Sequence, residues 1–308
     1  MKSYYRLMLG RQSRHAVACF EGSFVGSDFL PDIDLTGRLP DARRPFNKEF
    51  VPILMAQKPN KTKVGAGLSC GMLWTVCQGM AQGDIVLCPD GSGDYHIGEV
   101  TGGYEFAGGE ILPHRRRVRW RERTVARQDM TQSLQKSTGS IGTVSNVTKY
   151  GDEIESLIGE APPPGVAAAG EAVEDSSTFA LEKHLEDFLV GNWTHTELGR
   201  DYDIFEEEGE QIGQQYLTDT GPLDILAISK DRRTLLVVEL KKGQASDKVV
   251  GQVLRYMGYV QDELAEDDQT VRGAVIALAN HHKLDRALEM VPTVDFYRYE
   301  VSFKLVKA

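Results

Sequence analysis

The stretch Gly159-Glu160-Ala161-Pro162-Pro163-Pro164-Gly165-Val166-Ala167-Ala168-Ala169-Gly170-Glu171 constrains this chain more than any other feature. Three successive prolines, then small residues and glycines, cannot present a periodic apolar face to a core. Residues 160–177 therefore read as a linker between a domain over 1–159 and another over 178–308. Two domains also suit 308 residues, since single cores rarely grow past roughly 250–300. Hydrophobic content of 41% with 26% charged residues is ordinary for globular chains and excludes a mostly disordered or fibrous one. No apolar run reaches the ~18–20 residues that span a bilayer, and the first residues lack a signal-peptide core. The expectation is a soluble cytoplasmic protein with no membrane partner.

The net charge of −10 conceals an asymmetry. Residues 1–150 hold 20 Lys+Arg against 14 Asp+Glu, or +6, whereas 151–308 hold 15 against 31, or −16. Phosphate attraction is screened beyond about 8–10 Å at physiological salt, so local patches matter more than the total. Cys19, Cys70, Cys77 and Cys88 all lie in the first third with no C-x-x-C pair. Reduced thiols are the simpler reading; zinc shared with His15, His96 or His114 would need an uncommon spacing.

The two halves differ in periodicity. In the first, Gly83 to Cys88 runs into the turn Pro89-Asp90-Gly91-Ser92-Gly93, and His96 to Thr101 reads as the returning strand. Few long helical periods occur, which predicts a small β-barrel with minor helices. After the linker, Phe179 to Val190 and Lys248 to Glu263 read as helices, and Leu284 to Met290 as a short one. Leu223 to Ile228, Thr234 to Leu240 and Val271 to Ala279 read as buried strands, with Val294 to Val306 as one or two more. Helix, hairpin, helix, strand is an α/β pattern with a mixed sheet.

The chemistry concentrates in Gly221-Pro222-Leu223-Asp224-Ile225-Leu226 and Val237-Val238-Glu239-Leu240-Lys241. Alternation points Glu239 and Lys241 the same way and Leu240 back into the core. A carboxylate embedded in an apolar strand, as Asp224 is, costs heavily unless paired or metal-bound. Alone, an E-x-K would read as a surface ion pair; with Asp224 one hairpin earlier it suits Mg2+ on oxygen ligands and a lysine beside the attacking water. Gln252 and Tyr256 are four apart and share a face of the next helix.

These motifs, with Gly213-Gln214-Gln215-Tyr216 and Ala245 to Gly258, resemble the PD-(D/E)XK nuclease superfamily, and residues 178–308 are similar to the catalytic domain of NucS-type endonucleases. The resemblance implies a restriction-endonuclease-like fold and Mg2+ or Mn2+ held by Asp224, Glu239 and the Leu240 carbonyl. It makes Lys241 the residue that positions or deprotonates water, and Glu182 an upstream contact to a metal-bound water. Gln252 and Tyr256 match a Q-x-x-x-Y feature that orients the lysine and scissile strand, with helix packing as the alternative for Tyr256. Lys248 and Arg255 are candidate backbone contacts; Lys242 is better read as a solvated charge.

The first domain does not follow the NucS-type pattern. Gly83 to Leu87, Ile97 to Tyr104 and His114 to Trp120 resemble, more weakly, PUA/EVE/YTH-type barrels, several of which hold a modified base. A flipped base needs π faces and edge readers. Trp74, Tyr104, Phe24 and Trp120 are candidate walls and Asp28 a candidate edge reader, though any one large aromatic is more often core material. Six arginines fall within 115–123, and alternation puts Arg115, Arg117 and Arg119 on one face, suited to a phosphate backbone.

The expected architecture is a two-domain α+β chain, a PUA/EVE-like barrel followed by a restriction-endonuclease-like mixed sheet. The expected function is a metal-dependent DNA endonuclease, read first as a modification-dependent restriction enzyme of host defence, with a homodimer as the expected assembly. A repair nuclease for mismatched, branched or single-stranded DNA is one alternative, and a non-cleaving nucleic-acid-binding protein another. The acidic run Asp201 to Glu210 reads as a solvated hairpin without assigned function.

Overall fold

In the computed structural model, which describes residues 2–139, 142–159, 185–207 and 209–300, the chain divides into two compact units. One comprises Met1–Asn60 and Ala66–Gly170, the other Lys61–Gly65 and Glu171–Ala308. No described helix is long and apolar enough to cross a membrane.

The first unit is organised by a strand that is apolar on both sides. In β3 (Ile85–Pro89), Ile85 and Leu87 join one buried cluster while Val86 and Cys88 join another, as strand alternation dictates. Beside it lie β1 (Tyr4–Leu7), parallel to β3, and β4 (Asp94–Phe106), antiparallel to it. With β2 (Phe24–Ser27), β5 (His114–Ala126) and β6 (Val144–Asn146) the sheet runs β2-β5-β4-β3-β1-β6. Among the described residues its outer strands β2 and β6 do not pair, so the hydrogen-bonded ladder is open where a barrel was expected. Register shifts at His96/Gly98 and Val100/Tyr104 bend the long β4–β5 hairpin.

This unit is also more helical than its sequence suggested. Besides α1 (Ala16–Glu21) it carries α2 (Arg43–Gln57) and all of α3 (Lys63–Trp74) from Ala66 onward, the latter continued by a wide π-type turn over Thr75–Gly79. Pro52 inside α2 and the glycines of α3 read as helix breakers in isolation. They are retained because the helices pack tightly: a Cβ on Gly71 would sit 2.2 Å from the Arg43 guanidinium carbon. Phe46, Phe50, Leu54, Cys70, Leu73 and Cys77 form the core between them. Two short helices, α4 (Gln132–Thr138) and α5 (Gly151–Leu157), follow the hairpin.

The second unit follows the expected order closely. A helix over 185–191 (α6) leads, with the start of the expected 179–190 helix outside the described residues. The short α7 (Leu198–Asp201) precedes β7 (Tyr202–Ile204), and the acidic run continues into a small hairpin of β8 (Glu206–Glu207) and β9 (Glu210–Gln211). The main sheet runs β10 (Gln214–Thr218), β11 (Gly221–Ser229), β12 (Thr234–Ala245), β13 (Thr270–Asn280) and β14 (Val294–Arg298), with β7 also on β11. The β11–β12 hairpin is antiparallel; β12–β13 and β13–β14 are parallel and linked by α8 (Lys248–Tyr259) and α9 (His282–Glu289). Ile225, Ala227, Val238, Leu240, Ala274 and Ile276 fill one face with Leu189 and Trp193. On the other, Gly273 lets α8 approach, since a Cβ there would lie 2.6 Å from Val253 and 2.8 Å from the Met257 sulfur.

Candidate active site

The β11–β12 register pairs Ile225 with Val238, so one step further along the hairpin Asp224 and Glu239 come to the same end of the two strands. Leu240 packs in the opposite core, and Glu239 and Lys241 share the face that alternation assigns them. Asp224 Oδ2 accepts the Leu240 backbone N–H at 2.8 Å. Its Oδ1 accepts from Gln215 Nε2 at 3.1 Å. Glu239 is only 2% exposed, and Lys241 Nζ stands 3.1 Å from its Oε1. Just beyond, the β12–β13 register shifts between Lys241 and Gln244, the kind of irregularity that re-aims side chains beside active sites.

The third carboxylate is Glu186, which sequence reasoning missed. It lies on α6, 3% exposed, and its oxygens accept from Gln214 Nε2 at 2.7 Å and Gln215 Nε2 at 2.6 Å. Glu182, the glutamate expected upstream, lies outside the described residues. The two are four apart, so helical periodicity puts both on one face and cannot choose between them. The amide-rich Gly213-Gln214-Gln215-Tyr216 run was the signal available, because buried amides need acceptors.

Burial, and next the charge of Glu186, push the Asp224 carboxyl up to about 7 against the opposing pull of the Leu240 N–H, Lys241 and Gln215. A dry group of acidic side chains with one ammonium suits a hard divalent cation, whose charge removes the repulsion that otherwise retains a proton. The donors that fit are the Asp224 and Glu239 carboxylates and the Leu240 carbonyl. Among the described residues no three of His, Cys, Asp and Glu already converge as a complete cage.

Tyr256 is buried and donates its hydroxyl to the Pro222 carbonyl at 2.9 Å, two residues before Asp224. It therefore fixes the start of β11 and is not hydrogen-bonded to Lys241. Gln252, half-buried, hydrogen-bonds the same tyrosine. Lys248 and Arg255 are exposed on α8, and Lys242 is half-buried.

The residues proposed for a base pocket fall into two separate cores. Phe24 and Trp120 pack with Leu7, Cys19 and Val118; Trp74 and Tyr104 pack with Leu35, Phe46 and Leu73. Their polar ends are also engaged. Trp74 Nε1 donates to the Pro40 carbonyl at 2.9 Å, Trp120 Nε1 to the Cys19 carbonyl at 3.3 Å, and Tyr104 meets buried His114 Nδ1 at 2.9 Å. The Arg115 guanidinium lies over the Phe24 ring, 4.0 Å from its centroid. Asp28 is exposed, with Arg14 at 3.6 Å. The structure does not assemble these five residues into one cage.

The arginine alternation holds, with Arg117 and Arg119 exposed and Arg116 buried. Each member of the stripe has an acidic partner that composition alone could not reveal. Arg115 lies 2.8 Å from Glu110, Arg117 2.9 Å from Glu105 and Arg119 2.7 Å from Glu99.

Two family models match parts of this chain. Residues 9–148 match a family model described as Domain of unknown function (DUF8426), and residues 194–293 match Endonuclease NucS C-terminal domain. Endonuclease NucS of Methanocaldococcus jannaschii is 33% identical over 78 residues, or 25% of this chain and 28% of that protein. The chain thus matches less than a third of that relative's length. Two solved structures overlap more broadly but loosely. A repair endonuclease from Pyrococcus abyssi has TM-score 0.31 and 15% identity, covering 69% of this chain and 66% of that one. An EndoMS–dsDNA complex has TM-score 0.31 and 14% identity, covering 71% and 66%. Residues 194–293, which hold the G-P-L-D and V-E-L-K strands, are thus similar to the C-terminal domain of Endonuclease NucS, over less than half of this chain.

Proposed function

We propose that this chain is a divalent-metal-dependent endonuclease that hydrolyses DNA phosphodiester bonds at the Asp224–Glu239–Lys241 site. The observation that carries the reading is the placement of the Lys241 ammonium 3.1 Å from buried Glu239, at the hairpin end where the Leu240 N–H orients Asp224. Asp224, Glu239 and the Leu240 carbonyl would hold Mg2+ or Mn2+, which would supply Lewis-acid charge at a scissile phosphate. Lys241, 23% exposed, stands at the edge of the buried cluster, where it orients a water and balances the charge that develops on phosphorus. Tyr256 and Gln252 hold the β11 strand end, and exposed Lys248 and Arg255 are placed to meet a phosphate backbone.

What selects the DNA divides into two readings. Selection by a modified base requires an aromatic cage in the first unit, and the aromatics nominated for it are spent on two cores. That distribution favours selection by DNA structure, as in repair of mismatched, branched or single-stranded sites. Cutting both strands with one such centre per chain calls for two chains. The test is cleavage of matched DNAs (unmodified, base-modified, mismatched and branched) in Mg2+ and in Mn2+, beside a Lys241→Ala control. Cutting that is lost in the control establishes the nuclease, and preference among substrates decides the selection. Absence of cutting in every lane overturns the reading.

A further inference from the structure

Gln215 has a backbone conformation that its position in a strand does not call for. Its φ is +50°, in the left-handed region that L side chains other than Asn and Asp seldom adopt. It lies within β10, whose neighbouring residues Gln214 and Tyr216 pair regularly with Ile225 and Leu223 of β11. A glycine would adopt this conformation without penalty. Strain kept in a non-glycine residue points to a need for its side chain.

The side chain's contacts show what that need is. Gln215 Nε2 donates to Glu186 Oε2 at 2.6 Å and to Asp224 Oδ1 at 3.1 Å, so one amide nitrogen ties two carboxylates together. In a regular strand, adjacent side chains point to opposite faces. Here Gln214 and Gln215 both reach Glu186, one on each oxygen, and the left-handed residue is what brings them to the same side. Asp224 is fixed at both oxygens as well, by Gln215 and by the Leu240 N–H. Like charges in a dry site repel, and a neutral group with two N–H donors holds them without adding charge.

We infer that Gln215 is a positioning residue for the cation site, setting Asp224 as a direct ligand and Glu186 as its outer partner at a fixed spacing. The inference rests on the metal-dependent nuclease reading and deepens it. Outer partners that orient metal ligands typically account for about 10–100-fold in metal affinity.

The test measures Mn2+ binding to the full chain by electron paramagnetic resonance of the free ion, with melting temperature recorded with and without Mn2+. Gln215→Gly relieves the backbone and removes the bridge. Its metal-free melting temperature should equal or exceed that of wild type while Mn2+ affinity falls about 10–100-fold. Gln215→Asn tolerates the left-handed conformation but is one methylene too short to bridge, so it should lose affinity to the same extent and serves if the glycine variant fails to fold. Gln215→Glu puts a third acceptor between two carboxylates; it should melt lower without metal and recover more on adding Mn2+ than wild type does. Mn2+ affinity within twofold of wild type in the Gly and Asn variants, with binding abolished in Asp224→Asn, overturns the role of Gln215 and leaves the nuclease site standing. Undiminished binding in Asp224→Asn overturns both.

Discussion

Both units are built around a long antiparallel hairpin dense in charge, and the two use that charge in opposite ways. In the β4–β5 hairpin, Glu99 and Arg119 are registered directly across from each other and sit 2.7 Å apart, with Arg117 beside Glu105 and Arg115 beside Glu110. Its inward arginine, Arg116, is 5% exposed and donates to the carbonyls of Gly102, Val76 and Cys77. In the β11–β12 hairpin the acidic residues Asp224 and Glu239 share one end, Glu186 approaches through Gln215, and Lys241 is the ammonium set against Glu239. Matched charges give a hairpin that is stable and chemically quiet. Gathered like charges forfeit stability, displace a carboxyl from its ordinary range and leave a site that a cation and a phosphate can complete.

The sharpest way to break this contrast is Asp224→Asn. It keeps the shape of the side chain and removes the repulsion, with its one remaining oxygen on the Leu240 N–H and Gln215 still bonded to Glu186, so metal-free protein should melt at a higher temperature while cleavage falls by about 10³-fold or more. A lower melting temperature would mean that the acidic cluster is structural, as in the first unit. The converse is Arg116→Met, which removes one buried guanidinium and strands three carbonyls. Urea unfolding should show a loss of about 3 kcal/mol in the first unit.

How much of this was legible in the sequence follows the same division. The second unit could be read because strand alternation and the face of α8 are local patterns, and Asp224, Glu239 and Lys241 announce themselves as polar residues inside apolar strands. Glu186 could not, because a glutamate on a helix looks solvated until its amide partners from β10 are in place. The first unit was read less well for physical reasons of its own. Pro52 and the glycines of α3 suppressed two helices whose packing overrides their propensities. Trp74 and Trp120 look alike as aromatics, and only the folded sheet assigns them to different cores. Glu105 and Glu99 lie 12 and 20 residues from the arginines they pair with, and the bulges in β4 that set their register leave no clear mark in composition.

A weaker perturbation sharpens the contrast through pH. The Asp224 carboxyl is raised to about 7, mainly by burial and by Glu186. A raised value means that the folded state holds its proton longer than the unfolded chain does. The stability from this group is therefore complete below about pH 4 and is lost as pH rises through 7. Cation binding runs the other way, because the proton competes for the same oxygens. Cleavage under subsaturating Mn2+ should fall about tenfold per pH unit below 7, and metal-free melting temperature should rise over the same interval. If neither changes between pH 5 and 7, the carboxylates are not coupled and the contrast with the first hairpin loses its electrostatic basis.

The smallest expected effect decides what the arginine stripe is for. Exposed ion pairs contribute about 0.2–1 kcal/mol, so Arg117→Ala and Arg119→Ala should barely move the unfolding midpoint. Their DNA-binding consequence separates two accounts of the hairpin. If the acidic partners keep these arginines neutralised, the slope of log affinity against log salt should not change in either variant. An arginine that exchanges its carboxylate for a phosphate releases a counterion, and its loss lowers that slope by about 0.9. Lys248→Ala and Arg255→Ala on α8 supply the reference, since each should lower the slope by about that amount. A drop for Arg119 equal to that for Arg255 would show that DNA displaces Glu99, making the first hairpin a second contact surface whose quiet pairing belongs to the free protein alone.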